Sequence, residues 1–124
     1  MAAAREGLAV PYDDVINYCR DARAALSDDT VLIVEGAGGV LVPVDDTHTM
    51  RDFMTDLAAT PILVVGSYLG TISHTLTALE ALQSHGLIPA AIVVSESEDA
   101  GIPLDETCDA IKRFIGEVPL VPVP

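Results

Sequence analysis

The sequence predicts an α/β fold in which helices flank a parallel β-sheet. Aliphatic runs begin near residues 31, 62 and 91, about thirty residues apart, with a helical pattern in each gap. This spacing is typical of right-handed βαβ units. Continuous aliphatic runs are typical of strands buried on both faces of a sheet. The three predicted strands are Val31–Val34, Ile62–Val65 and Ala91–Val94.

The first half of the chain contains two predicted helices. Residues 11–26 place apolar side chains at three- and four-residue spacings after Pro11 and two early acidic residues, which favours an amphipathic helix. The segment 41–46 is predicted to be a loop. Thr49 and Asp52 resemble a capping box, so a second helix is expected over about residues 50–58.

The second half alternates strands and helices. A helix is predicted over about residues 71–85, and Gly86 ends it as a C′ glycine. A polar loop after the third strand leads to a helix over about residues 104–115. The last strand is expected at residues 118–121.

Length and composition limit the class of protein. A chain of 124 residues suffices for one domain, so residues 1–124 are predicted to form a single one. The net charge of −13 excludes nucleic acid as a partner, because a polyanion needs clustered Lys and Arg. No apolar run approaches the roughly 20 residues that span a bilayer, and the start lacks the features of a signal peptide. We expect a cytoplasmic protein with no membrane partner.

Most of the isolated polar and sulfur-containing side chains do not indicate a catalytic, metal or disulfide site. Cys19 and Cys108 lie far apart in helical patterns, so we expect buried thiols rather than a disulfide or zinc site. The group Asp45, Asp46 and His48 is more typical of a solvated acidic loop than of a metal cluster. His74 and His85 are expected to be capping or surface residues.

Three loops at the carboxyl ends of predicted strands are the candidate site. They span residues 35–39, 66–71 and 95–99, and in a parallel sheet they converge at one edge. Glu35 and the glycines after it could begin a nucleotide or Mg²⁺ site, or form a tight turn with a solvated Glu. The loop 66–71 opens a helix, so its free N–H groups could bind an anion. Thr71 or Ser73 could instead be only an N-cap.

Several motifs resemble dethiobiotin synthetase in residue type and spacing, and together they extend over the whole chain. The family is known for a P-loop near its N-terminus, and only its C-terminal half to two-thirds is represented here. The matching segments are Ala2–Gly7, Val34–Gly39, Leu41–Pro43, Pro61–Gly66, Leu69–Thr77, Gly86–Leu87 and Gly116–Pro119.

The resemblance implies a P-loop-NTPase-like three-layer fold and an ATP-dependent ligase of biotin biosynthesis. Such an enzyme carboxylates 7,8-diaminononanoate with CO₂, phosphorylates the carbamate with ATP and Mg²⁺, and closes a ureido ring. Glu35 would be the Mg²⁺ ligand, which suits a cation held by few carboxylates and substrate phosphates. The implied ATP-binding residues are Glu35, Gly36, Ala37, Gly38, Ser95, Glu96, Pro119, Leu120 and Val121. The implied substrate-binding residues are Gly38, Leu69, Gly70, Thr71, Ile72 and Ser73, at a homodimer interface.

The chain departs from the family pattern at three points. Lys112 is its single lysine, so a GxxxxGK[ST] loop is absent and no catalytic residue is expected in these residues. Ser73 and Ser95 stand where the family usually has Asn, and Ser95 cannot present a donor and an acceptor side by side to adenine. We therefore expect a truncated chain, inactive alone, that associates as a homodimer or with a missing N-terminal part. The alternative is a non-catalytic binding or interaction module derived from that family.

Overall fold

The computed structural model describes residues 5–98 and 101–124. The chain divides into two compact units, with the boundary between Ala59 and Thr60. The prediction of a single domain stays a prediction. Ala2 to Ala4 of the resemblance and Asp99 of the third loop lie outside the described residues.

In the first unit, residues 10–59 contain the helices α1 (Tyr12–Ala24) and α2 (Met50–Asp56). Helix α1 follows Pro11 and carries acidic residues in its first turn and Arg23 in its last, an arrangement that complements the helix dipole. Tyr12, Ile16 and Phe53 form the buried core of this unit. Apolar side chains from both helices therefore stabilise it.

The capping box before α2 is confirmed. The backbone N–H of Asp52 donates to Oγ1 of Thr49 at 3.5 Å, and the N–H of Thr49 donates to Oδ2 of Asp52 at 2.7 Å. These two bonds satisfy N–H groups that would otherwise lack a partner at the helix start.

The prediction that Val31–Val34 forms a strand is wrong. The segment pairs with no strand among residues 5–98 and 101–124, and Val31 and Ile33 are 80 % and 84 % exposed. An aliphatic run becomes a strand only where a neighbouring strand accepts and donates its backbone hydrogen bonds. Within its own unit this run has no such neighbour, so it stays irregular.

The second unit contains β1 (Ile62–Gly66), α3 (Thr71–Gln83), β2 (Ala91–Ser95), α4 (Leu104–Lys112) and β3 (Leu120–Val123). The three strands are parallel in the order β1-β2-β3. Each neighbouring pair is joined through one helix, so the parallel α/β fold class and the βαβ units predicted from residue 62 onward are confirmed, whereas the unit predicted from residue 31 to residue 62 does not form.

Two boundaries in this unit differ from the sequence prediction. Helix α4 ends at Lys112 rather than near residue 115, and the last strand begins at Leu120 rather than at Val118. Gly116 has a positive φ of 63°, and the N–H of Val118 bonds back to the carbonyl of Ile115 at 3.4 Å. This turn occupies residues that the prediction gave to the strand.

The core of the second unit lies on one face of the sheet. Leu79 of α3 and Ile111 of α4 pack there with Ile92 and Val94 of β2. On the other face, Ile62 and Val64 are 62 % and 64 % exposed. The prediction that β1 is buried on both faces is therefore wrong, because both helices of this unit cover the same side.

Helix α3 ends as predicted. Gly86 has a positive φ of 72°, and the N–H of Leu87 donates to the carbonyl of Leu82 at 3.1 Å. Glycine adopts this conformation without steric cost, which is why it ends the helix. None of the helices in the described part of the chain has the length and apolar character needed to cross a membrane.

Candidate functional site

The turn between β1 and α3 is held by buried hydroxyl groups. The N–H of Ser67 donates to the carbonyl of Ser95 at 3.0 Å, and the N–H of Ser97 donates to Oγ of Ser67 at 3.0 Å. Ser67 is almost fully buried. Two of the three predicted loops, those after β1 and β2, therefore meet at the carboxyl edge of the sheet.

Neither Thr71 nor Ser73 is the N-cap of α3. The N-cap is Gly70, with a positive φ of 95°, and no described side chain caps the helix. Oγ1 of Thr71 instead donates to the carbonyl of Gly66 at 2.5 Å, across the turn. The first N–H groups of an α-helix have no partner within the helix. The N–H of Thr71 donates to the carbonyl of Tyr68 at 3.0 Å, so the N–H groups of Ile72 and Ser73 are the ones left for an anion.

Tyr68 and His74 form a pair beside this helix start. The Tyr68 hydroxyl lies 3.1 Å from Nδ1 of His74, and the rings are 5.8 Å apart. Both side chains are exposed. The predicted surface position of His74 is confirmed, whereas the sequence pattern indicates no role for Tyr68. Their spacing of six residues gives no periodic signal in the sequence.

An open groove of about 740 Å³ extends from this turn along α3 and α4. It contains all five residues predicted to bind substrate in this unit, Leu69 to Ser73. Leu69 is 91 % exposed, and Ile102 and Phe114 add further exposed apolar surface. The groove thus combines a helix N-terminus with an apolar wall. Ile102 and Phe114 were not identified from the sequence, because only the packing of α4 beside α3 brings them here.

The residues predicted to bind adenine are spread along β2 and β3. Ser95 ends β2, and Glu96, which follows it, donates its N–H to the carbonyl of Val123 at 2.8 Å. The register pairs Ser95 with Val123, whereas Leu120 pairs with Ile92. Pro119 and Leu120 therefore lie toward the amino end of the sheet, away from Ser95.

A second groove, of about 540 Å³, lies where β3 meets the start of α4. Glu96 is the member of the predicted ATP-binding set that lines it. Lys112, also in its wall, forms an exposed ion pair with Asp109 at 3.8 Å. The single lysine of the chain is thus on α4 and not on a glycine-rich loop.

The Glu35 loop belongs to the first unit. Glu35 is exposed. In the loop after it, glycine residues lie close to neighbouring side chains. A Cβ at Gly36 would lie 3.0 Å from Cγ of Met50, and Gly38 has a positive φ of 97°. Ala37 is exposed between them. Within the described residues no group of three or more His, Cys, Asp or Glu is placed to hold a metal ion.

The Asp45–His48 loop is ordered by its own hydrogen bonds. Oδ1 of Asp45 accepts from the N–H of Thr47 at 2.7 Å, and Oδ2 lies 2.8 Å from Nδ1 of His48. The bond with His48 lowers the pKa of Asp45, and it raises the pKa of His48. Asp46 is exposed, as expected for a residue of a solvated acidic loop.

The two cysteines differ in exposure. Cys108 is buried in the core of the second unit, and burial raises the pKa of its thiol. Cys19 is only half-buried. The prediction of a buried thiol is therefore confirmed for Cys108 and wrong for Cys19, because α1 turns that side chain toward the margin of its core.

The parallel sheet, with its loops at one edge, defines an α/β protein of the P-loop-NTPase-like class. A family model described as an AAA domain matches residues 1–124. The chain is 48 % identical over 124 residues to the ATP-dependent dethiobiotin synthetase BioD of Caulobacter sp. (strain K31), covering 100 % of the chain and 53 % of that protein. It is 42 % identical over 119 residues to the enzyme of the same name from Acidiphilium cryptum (strain JF-5), covering 96 % and 52 %.

A third relative, the ATP-dependent dethiobiotin synthetase BioD of Methylobacterium nodulans (strain LMG 21967 / CNCM I-2342 / ORS 2060), is 40 % identical over 116 residues, which cover 94 % of the chain and 52 % of the relative. The chain therefore belongs to the dethiobiotin synthetase family. It spans about half the length of the curated relatives it matches.

Proposed function

We propose that these residues form part of an ATP-dependent dethiobiotin synthetase, the ligase that makes the ureido ring of dethiobiotin from 7,8-diaminononanoate, CO₂ and ATP. The identity of 40–48 % to named dethiobiotin synthetases over nearly the whole chain carries this proposal. The reaction is cytoplasmic in this proposal, and its substrates are small molecules.

The turn after β1 suits the carboxylate end of the diamine. The N–H groups of Ile72 and Ser73, in the first turn of α3, lie at the positive end of the helix dipole, and the N-cap Gly70 places no side chain over them. The aliphatic chain of the substrate would lie against the apolar wall that Leu69 and Phe114 provide. The exposure of this wall favours a second copy of the chain as its cover, so we propose a homodimer.

The Glu35 loop is the proposed site of Mg²⁺ and the ATP phosphates. One exposed carboxylate fits a Mg²⁺ ion whose other ligands are phosphate oxygens and water. Gly36, Ala37 and Gly38 would let the nucleotide approach the backbone. Ser95 and Glu96 are the proposed adenine contacts at the carboxyl edge of the sheet. Pro119 to Val121, which the resemblance also implies, begin β3 away from Ser95. Gly38 is proposed to contact the diamine.

These 124 residues do not contain the elements that neutralise a triphosphate. Phosphoryl transfer depends on positioning and on cationic groups around the phosphates. Lys112 is the single lysine and lies on α4. We therefore propose that a polypeptide of these residues alone is inactive, and calorimetry with Mg²⁺ and ATP should detect no tight binding. Micromolar binding by this polypeptide would contradict that.

Reconstitution tests the ligase function. The part of the Caulobacter sp. relative that the match leaves out would be fused to this chain, and dethiobiotin formation would be measured. We expect activity from the fusion, and Glu35→Gln should lower kcat by about 100-fold or more, as loss of an electrostatic catalytic group does. Asp21→Asn, a matched change at an exposed position of α1, should leave kcat unchanged.

The substrate turn has its own test in the same fusion. Ser73→Asn restores the longer side chain that the family usually has, so the KM for the diamine should fall several-fold. Ser84→Asn, the same change at the other end of α3, should have no effect. An unchanged KM in Ser73→Asn would remove this residue from the substrate site while leaving the ligase proposal intact.

The presence of Ser73 and Ser95, where the family usually has Asn, favours one alternative, a non-catalytic interaction module. A fusion that folds, binds neither ATP nor the diamine and forms no dethiobiotin would support the module. Detectable turnover would exclude it.

A further inference from the structure

We propose that His48, held between Tyr12 and Asp45, is a proton-operated latch that fastens the start of α1 to the loop before α2. This device lies within the first unit and is independent of the proposed ligase reaction. It joins segments that are 36 residues apart in the sequence.

The latch has two contacts, one on the face of the imidazole ring and one at its edge. The ring of Tyr12 stacks on that of His48 with centroids 3.9 Å apart and an interplanar angle of 10°. At the ring edge, Nδ1 lies 2.8 Å from Oδ2 of Asp45. A protonated imidazole strengthens both contacts, because it gains a cation–π attraction to the tyrosine face and a charge-assisted bond to the carboxylate. Loss of the proton leaves neutral stacking and a weaker hydrogen bond.

Tyr12 transmits this change to the helix. It is the first residue of α1, and its ring also packs edge-on against Phe53 with centroids 5.9 Å apart. Its hydroxyl donates to Oδ2 of Asp56 at 2.8 Å. The Tyr12 side chain therefore both stacks on the imidazole of His48 and packs α1 against α2.

The charges around His48 favour its protonated form. The carboxylates of Asp45 in the loop and of Asp52 and Asp56 in α2 all raise the pKa of His48. The arginines of the packed helices are Arg20 of α1, which donates to the carbonyl oxygen of Asp56 at 2.9 Å, Arg23 in the last turn of α1, and Arg51 of α2. Three carboxylates therefore surround the imidazole.

The sign of the pH effect follows from the hydrogen bond with Asp45, which raises the pKa of His48 above its ordinary value of 6.5. A group whose pKa is raised by folding contributes its full stabilisation at pH values below its pKa in the unfolded chain. That contribution is lost as the pH rises through its pKa in the folded chain. The latch is closed at mildly acidic pH and opens as the solution becomes alkaline.

Amide hydrogen exchange of the full chain tests the latch. Protection of the α1 amides, corrected for the intrinsic exchange rate, would be measured by NMR from about pH 5 to about pH 8.5, the range in which histidine titrates. We expect the protection of the α1 amides to fall several-fold with rising pH, a decrease called the α1 step, while the β2 amides in the other unit show no such decrease. The variant His48→Gln should lose the α1 step, and the matched control His85→Gln should retain it.

A second variant keeps the test decisive if His48→Gln does not fold. Asp45→Asn retains a carbonyl oxygen that can accept from the backbone N–H groups of Thr47 and His48, but it removes the charge. The midpoint of the His48 titration measured by NMR should then fall to lower pH, and the midpoint of the α1 step should fall with it. A wild-type α1 without a pH step, or a step that persists unmoved in either variant, would overturn the proposal.

Discussion

Oγ1 of Thr71 donates a hydrogen bond to the carbonyl oxygen of Gly66 at 2.5 Å, which ties the first residue of α3 to the last residue of β1. The hydroxyl thus fixes the turn instead of capping the helix. The N–H groups of Ile72 and Ser73 stay open at the groove, and the turn that presents them is held by a partly buried bond from Thr71, which is 3 % exposed.

Replacing Thr71 by Val should destabilise the protein. Val has nearly the same shape but leaves the Gly66 carbonyl without its donor, and a buried unsatisfied group costs about 1–3 kcal/mol. Thr77→Val makes the same change at an exposed position of the same helix and should alter the unfolding free energy by less than about 0.5 kcal/mol. Urea denaturation measures both. Equal values for the two variants would contradict the structural role of the Thr71 hydroxyl.

Gly66 should not tolerate a side chain. A Cβ there would lie 2.6 Å from Oγ of Ser97 and 3.1 Å from Cδ1 of Tyr68. Gly66→Ala should lower the unfolding free energy by about 1–3 kcal/mol, the usual cost of overpacking. Gly39→Ala, where nothing lies within 4 Å of the added Cβ, is the matched control.

The close contact with Ser97 can be tested separately by a double-mutant cycle. Gly66→Ala should cost less in a Ser97→Ala background, because the nearest atom has been removed. Additive effects would show that Ser97 is not the side chain that excludes the methyl group.

The two faces of the sheet should respond differently to truncation. Ile92 is fully buried under the helices, so Ile92→Ala should cost about 2–5 kcal/mol. Ile62→Ala, on the exposed face of β1, should cost less than about 1 kcal/mol because little apolar surface leaves the core. Thermal or urea unfolding compares the two variants. Similar losses would mean that the exposed face is covered in solution.

The cysteines should differ in reactivity. Burial raises the pKa of Cys108 and shields its sulfur, so iodoacetamide should modify Cys19 first in the folded chain. Mass spectrometry after a short reaction near pH 8 would identify the modified residue. In a Cys19→Ser variant, modification should become rapid only after denaturant is added, and rapid labelling of the folded variant would contradict the buried position of Cys108.

Local features of this fold could be predicted from the sequence because neighbouring residues determine them. Thr49 and Asp52 are three residues apart and satisfy each other at the start of α2, whatever the rest of the chain does. Gly86 ends α3 for an equally local reason, its positive φ. The aliphatic runs at 62 and 91 formed strands because each finds a parallel neighbour within its own unit.

The run Val31–Val34 has the same composition, yet it forms no strand, since composition does not supply a hydrogen-bonding neighbour. The sequence by itself thus determined the βαβ order of the second unit, the capping box before α2, the glycine that ends α3 and the family of this protein. The tertiary structure alone decided which face of β1 is buried, that Thr71 bonds to Gly66, and that Tyr12 stacks on His48. These features depend on contacts made in space, and their residue types give no periodic pattern from which such contacts could be predicted.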